Sequence, residues 1–452
     1  MVKIQNSREP FYKTVLTIAV PVTLQSLLQA SFSVVDQMMI GRLGSASIAG
    51  VGLGGKFSSL YTVLLGAVAA VAGIMISQYI GQKDAGEVGR SFRLNLKLAL
   101  GLAMLAVFVS MCFPGQIMWL YTKDEVTRGI AAEYLRILAL AFVPMAIVSI
   151  LSTLLRCLEA AMFPLYASMA AAVMNTALNY LLIFGKIGLP QLGAKGAAAA
   201  TVISQWTACL MTIGFGIHFC RKHAIVLKPE GRMTREYAEM FLKILCPIII
   251  CEFLWSLGEN VYAAIYGNIG TAACAAMTLT IPIQTLMMGA LSGLSQAAAI
   301  LIGKALGAGE YDRAYWEAKR LMIYGLCGSL AFSAAICIVS RFYVQIYHVE
   351  AEVHKTAVQL LIVYALIAPV KVQNMLLGGG IIRSGGKTNY VMWIDFIGTW
   401  IFGVPLGLLS AFVWKLEIPY VYFILSLEEC VRFGMSLVVF RKKKWMRSLN
   451  SL

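Results

Sequence analysis

The chain has 452 residues, 59% hydrophobic and only 13% charged, about half the charged share of a soluble domain, which is roughly 25%. That balance excludes a soluble globular protein and places most of the chain in a bilayer. The net charge of +15 raises nucleic acid as a partner, but the basic residues are dispersed in loops between apolar runs, which favours a membrane surface and no nucleic acid.

In chain order, uncharged runs cover 14–35, 57–82, 98–122, 160–185 and 196–220, with a less clean one near 131–155. Each approaches or exceeds the ~20 residues a spanning helix needs. A hydrophilic stretch, 221–243, follows, with Lys228, Pro229, Glu230, Gly231 and Arg232 in a turn-prone cluster. The apolar region 239–302 divides into two helices, and 318–340, 357–380, 390–413 and 418–440 complete a predicted twelve. Nothing resembles the roughly ten-residue in/out alternation of a barrel strand. The expected fold is all-α and integral to the membrane, with a six-helix N-lobe (1–222), a cytoplasmic linker (223–238) and a six-helix C-lobe (239–452).

The two lobes read as copies. Residues 21–49 recur without a gap as 247–275, an offset of 226: Pro21, Gly41, Gly44, Ala46 and Ala49 fall on Pro247, Gly267, Gly270, Ala272 and Ala275. Six helices per copy bring both copies into the membrane from the same side, so the repeat is parallel, an arrangement found in secondary transporters with a pathway between the halves. Arg156 after the fourth helix and Arg383 after the tenth occupy similar places, with Pro144 and Pro369 inside the preceding helices. One match fails: Asp36 in the first copy meets Tyr262 in the second.

With a cytoplasmic N-terminus, the inner segments hold 24 Lys/Arg and the outer loops eight. This bias predicts that both termini are cytoplasmic in the plasma (inner) membrane. The stretch before Phe11 is polar and the first helix outruns a signal peptide, so no removable targeting segment is expected. The ten cysteines are scattered without a CxxC pair, as small packing residues would be.

Gly50–Lys56 satisfies both GxGxxG and the GxxxxGK core of a phosphate loop, but Phe57 stands where Ser or Thr should bind magnesium and no strand precedes it. Placed between helices 1 and 2, these glycines suit close helix approach. No HExxH and no nucleophile triad occur, and His218, His223, His348 and His354 sit at span ends or in loops. Enzymatic chemistry and a bound cofactor are therefore not expected. The triple glycine Gly378-Gly379-Gly380 is the best hinge candidate, each glycine weakening a helix by roughly 1 kcal/mol relative to alanine.

Acidic residues inside spans cost at least ~2.5–3.5 kcal/mol and mark cavities or pathways. Gln25, Gln29, Ser33 and Asp36 are spaced four, four and three along one helical face. Asp36 either serves a site or is solvated near the interface. Asn175 and Asn179 lie one turn apart in helix 5, as do Ala197 and Thr201 in helix 6; with Asp36 they offer a carboxylate and neutral oxygens suited to sodium, or a carboxylate for a proton. Glu252 and Glu259 share a face of helix 7, where Lys371 of helix 10 would lower the cost of burial by pairing with either. Asp395 is a further cavity candidate, and Glu428, Glu429 and Arg432 have the spacing of a self-satisfied helical cluster.

The motifs Asp36-Gln37-Met38-Met39-Ile40-Gly41-Arg42-Leu43-Gly44, Asn175 through Asn179-Tyr180 to Leu182-Ile183-Phe184-Gly185, Gly193-Ala194-Lys195-Gly196-Ala197-Ala198 to Thr201, and Arg383-Ser384-Gly385-Gly386-Lys387-Thr388 together resemble the multidrug and toxic compound extrusion (MATE) family. The resemblance runs through nearly the whole chain. It implies a V-shaped pair of lobes around a central cavity that exports amphipathic, cationic small molecules in exchange for Na+ or H+, as a monomer in membrane lipid. It carries the N-lobe cation site onto Asp36, Asn175, Asn179 and Thr201 with the Ala197 carbonyl; Asn179 replaces an aspartate found in some branches. The substrate cavity expected beside it takes in Gln25, Gln29, Ser33, Glu252, Glu259, Lys371 and Asp395. The C-lobe sodium acids of NorM-like members fall on Trp255 and Val372, so that site is expected to be missing. The alternative is a lipid-linked precursor flippase of a related fold, whose anionic cargo would favour more in-span cations than Lys56 and Lys371 provide.

Overall fold

The computed structural model describes residues 10–188, 190–222, 234–347 and 349–449. Residues 223–233 of the expected linker, with His223, and His348 lie outside them. The main helices are α1 (Phe11–Ile40), α2 (Ser45–Gly81), α3 (Ala85–Cys112), α4 (Glu125–Cys157), α5 (Met162–Phe184), α6 (Ala194–Lys222), α7 (Arg235–Ile269), α8 (Thr271–Gly307), α9 (Tyr311–Gln345), α10 (Ala351–Ile382), α11 (Thr388–Val413) and α12 (Ile418–Arg441). All but α12 have the length and apolarity to cross a membrane. The exception contains Glu428, Glu429 and Arg432, whose partners are described below. This is a multi-pass, all-helical membrane protein.

Helix boundaries follow local chemistry. The run expected over 98–122 is displaced, because α3 starts at an N-cap, where Asp84 accepts from the Glu87 N–H at 3.0 Å, and stops ahead of Pro114. A short helical turn, Pro114–Trp119, follows. The α1–α2 and α7–α8 turns both end on a glycine in the left-handed half of the map, Gly44 (φ 92°) and Gly270 (φ 156°), a conformation that favours glycine.

The chain separates into two compact units, Met1–Arg232 and Met233–Leu452. In the first, α1 packs on α5, α2 on α3 and α4, α3 on α4, α4 on α6 and α5 on α6. The second repeats every pairing: α7 on α11, α8 on α9 and α10, α9 on α10, α10 on α12 and α11 on α12. Apolar side chains such as Met104, Leu105 and Phe108 on α3, each 59% exposed, provide the lipid-facing surface such a bundle needs.

The glycine run 50–56 lies inside α2, not between helices, and the structure gives it a packing role. A Cβ on Gly50 would come within 2.7 Å of Ile130 Cγ2, and one on Gly54 within 2.6 Å of Tyr134 Cδ1, so bare backbone lets α2 lie close on α4. The triple glycine does not interrupt α10. It sits in a wide π-helical stretch, Met375–Ile382, where the Ser295 hydroxyl of α8 donates to the Met375 carbonyl at 2.9 Å. A Cβ on Gly380 would come within 2.8 Å of the Ser295 carbonyl oxygen.

Candidate functional site

Asp36 lies near the C-terminal end of α1, half-buried. Across from it, α5 presents Asn175 and Asn179, which are 8% and 1% exposed. The Asn179 amide donates to Asp36 Oδ1 at 2.6 Å and to Asn175 Oδ1 at 3.1 Å. On α6, the Thr201 hydroxyl donates to the Ala197 carbonyl at 3.0 Å, leaving its lone pairs to the Asn175 amide at 3.4 Å. Ser204 Oγ lies 3.5 Å from that same amide. Turning the Asn175 amide over brings its nitrogen to 2.9 and 3.1 Å from the two Asp36 oxygens and its oxygen to 3.3 Å from the Thr201 N–H. The first orientation gives the carboxylate one amide donor and the second gives it two, though the second also sets two amide nitrogens against each other.

The structure therefore brings together all five residues of the expected cation site, with Ser204 as an addition. A dry cluster of Val51, Tyr134, Leu138, Ala141, Ile183, Ala197 and Ala198 lies nearby, with Met39, Ile40 and Leu43 from the end of α1 packed against it. The site thus has a low-dielectric flank, where a carboxylate's charge is costly until a cation or proton offsets it. Asn179 Oδ1 is buried without a hydrogen-bond partner. It is a spare acceptor beside the carboxylate.

The polar stripe on α1 divides. Gln29 and Ser33 are exposed, but Gln25 is 8% exposed and already engaged. Its amide nitrogen donates to Ser168 Oγ at 2.7 Å and its oxygen accepts from Arg156 at 2.8 Å. Gln25 thus anchors the Arg156 guanidinium.

A model of the family described as MatE matches residues 21–181 and 247–409, one match in each unit. The chain belongs to the MatE family. Among MatE relatives, the probable multidrug resistance proteins NorM of Rhizobium meliloti (strain 1021) and Bacillus cereus (strain ATCC 14579) are 27% and 26% identical. The first alignment covers 90% of both chains and the second 86% of both. The crystal structure of the Vibrio cholerae MATE transporter VcmN in its bent form shares the fold, with a TM-score of 0.87 at 18% identity over 98% of this chain and 97% of that one.

The second MatE unit places its charges differently from expectation. Glu252 pairs with Arg383, Nη1 to Oε1 3.1 Å, and not with Lys371. Lys371 instead stands 3.9 Å from Glu429. Asp395 forms an ion pair with Arg432 and accepts from the Cys251 thiol at 2.8 Å. Cys251, expected only to pack, also accepts from Arg383 at 3.2 Å. Arg432 lies 3.6 Å from Glu429 and 4.0 Å from Glu428, so the expected α12 cluster exists but extends to α11. Glu428 accepts a hydrogen bond from the Tyr262 hydroxyl, and Glu429 accepts from the Asn374 amide at 2.7 Å. Val372 is fully buried and Trp255 is 47% exposed.

The contacts Gln25–Ser168, Cys251–Asp395 and Tyr262–Glu428 join different helices and are not visible in the spacing of any one of them. An offset of 227 from the end of the fourth helix onward carries Arg156, Ser168 and Thr201 onto Arg383, Asp395 and Glu428, so the repeat marks these positions as equivalent.

Proposed function

We propose that the chain is a secondary multidrug exporter that expels amphipathic, cationic small molecules from the cytoplasm in exchange for Na+ or H+ entering at Asp36. The observation that carries this reading is the carboxylate of α1 held at 2.6 Å by Asn179, with Asn175, Thr201 and the Ala197 carbonyl grouped around it. A bound proton or sodium ion neutralises Asp36, and its loss leaves a partly desolvated charge. Cation occupancy therefore biases the packing of α1 against α5 and α6, and any state with a different packing has a different cation affinity. If cargo prefers the cation-free state, linkage makes cation entry and cargo exit reciprocal.

The NorM relatives support drug-like cargo by their names, and a cavity in unit 2 lined by Glu259, Glu428 and Glu429 against Lys371 supports a cation over an anionic lipid-linked cargo. The basic loops support cytoplasmic termini in the plasma membrane, and one chain carries both repeats, which supports a monomer. Proteoliposomes loaded with a fluorescent cation, with pH and sodium gradients imposed separately, test the reading. Asp36→Asn should reduce gradient-driven efflux to the protein-free background while the protein inserts and unfolds as wild type does. Efflux at the wild-type rate in that variant would overturn the coupling role.

A further inference from the structure

At one membrane face of unit 2, the start of α9 meets the end of α12 through a stack of three rings. Tyr315 stacks on Phe440 with centroids 5.0 Å apart, and Phe440 stacks on Trp445 at 5.8 Å. The stack is firmly held. Trp445 is fully buried, its indole N–H donates to the Phe440 carbonyl at 3.2 Å, and a Cβ on Gly385 would collide with its backbone oxygen.

Two positive charges converge on this stack. The ammonium groups of Lys319 and Lys443 each lie 4.7 Å from the Tyr315 centroid, and that of Lys319 is also 4.9 Å from the Trp316 centroid. The two nitrogens are therefore at most 9.4 Å apart, twice 4.7 Å, and an atom midway between them is within 4.7 Å of both. No carboxylate neutralises them: among the described residues neither lysine has an ion-pair partner, Glu310 and Glu317 are both taken by Arg313, and Asp312 is exposed about two turns back along α9. The rings hold the ammonium groups in place, but the like charges still call for an anion between them.

The backbone supplies a second, independent observation. Lys443 follows the end of α12 at φ 56°, in the left-handed region that favours glycine, and its N–H donates to the Phe440 carbonyl at 3.1 Å. A side chain kept at a position whose turn suits glycine points to a use for that side chain. The surface then continues into lipid. Trp316, Lys319, Ile323, Leu326 and Leu330 recur at three- and four-residue spacing along one face of α9, and the four apolar members are exposed. Tryptophan marks the membrane–water interface, so Lys319 lies at headgroup level and the three aliphatic residues at acyl-chain level. Basic groups so placed attract anionic headgroups.

We propose that Lys319 and Lys443 form a docking site for one anionic phospholipid, with its phosphodiester between the two ammonium groups and an acyl chain along Ile323, Leu326 and Leu330. The inference rests on neither Asp36 nor cation exchange, and its test reads binding alone.

The test titrates the full-length protein, delipidated in an uncharged detergent, with short-chain phosphatidylglycerol by calorimetry. One saturable site per chain is expected. Phosphatidylcholine of the same chain length, whose phosphodiester is offset by choline, should bind about tenfold more weakly, and glycerol phosphate, a headgroup without chains, should not saturate the site. Lys319→Gln and Lys443→Gly should each weaken phosphatidylglycerol by about fivefold and the double variant by about twenty-five-fold, the worth of one basic residue at an anionic surface taken once and twice. Glycine accepts the turn at 443, so Lys443→Gly keeps the fold while losing the charge. Lys444→Gln removes the same charge one residue on, at a lysine with no ring contact among the described residues, and should change affinity by less than about twofold. No saturable lipid binding, equal affinity for phosphatidylcholine, saturation by glycerol phosphate, wild-type affinity in either ring-contact variant, or an equal loss in Lys444→Gln would overturn the proposal.

Discussion

The same three-way junction is built twice with opposite chemistry. In unit 1, α1, α4 and α5 meet through Gln25, Arg156 and Ser168; in unit 2, α7, α10 and α11 meet through Cys251, Arg383 and Asp395. The first surrounds its guanidinium with neutral groups, whereas the second adds Glu252 and a second arginine, Arg432. The acids differ as well. Asp36 on α1 stands near Thr201 on α6, while at the matching places Tyr262 on α7 donates to Glu428 on α12. Acid and hydroxyl have exchanged helices. Repetition thus preserves which backbones touch while leaving each half free in where it keeps charge.

If that contrast is correct, the two junctions should respond unequally to loss of one member. Asp395→Asn breaks the ion pair to Arg432, leaving that guanidinium only its longer approaches to Glu428 and Glu429, and should cost roughly 3 kcal/mol, the low end of the scale for breaking a buried pair. Ser168→Ala removes one neutral hydrogen bond, about 1 kcal/mol. Thermal unfolding in detergent checks both, and equal losses would break the comparison. A smaller effect is expected where helices touch: Gly380→Ala meets the Ser295 backbone oxygen and Gly54→Ala meets the movable Tyr134 ring. Gly380→Ala should cost up to about 3 kcal/mol and Gly54→Ala nearer 1, read by the same unfolding assay.

The smallest effect concerns the starts of α4 and α10. Asp124 caps α4 by accepting from the Thr127 N–H at 2.9 Å, whereas Glu350 makes no side-chain cap to α10. The Thr127 hydrogen bonds hold the Asp124 carboxyl below its ordinary value. Its folded pKa is depressed, so the cap's contribution is present above the unfolded value of 3.8 and is lost as pH falls through the lower, folded one. Asp124→Ala should therefore lower the unfolding midpoint at neutral pH, by an amount that shrinks under acid. Glu350→Ala should show no cap-dependent change across the same range.

Apolar length made the helices legible, and the ungapped match of residues 21–49 to 247–275 made the duplication legible. The helix 3 boundary was missed because hydropathy does not register an N-cap at Asp84 or a stop before Pro114. Asp36, Asn175, Asn179, Ala197 and Thr201 could be grouped through the family motifs, since spacing alone joins residues only within a helix. The partner of Lys371 is hidden from the sequence for the same reason. Helix spacing shows which face a charge occupies, but not which of several acids lies opposite, and the 3.9 Å approach to Glu429 depends on how α10 packs against α12.

The wide stretch of α10 accounts for a difference in length between the two units. Arg156 follows Pro144 by 12 residues and Arg383 follows Pro369 by 14, yet both arginines reach the matching partner, Gln25 at 2.8 Å and Cys251 at 3.2 Å. A π turn takes up roughly one more residue than an α turn, so Met375–Ile382 absorbs the added length as winding. The wider pitch thus leaves Arg383 facing the counterpart of the residue that Arg156 faces, although the two units differ by two residues over this stretch.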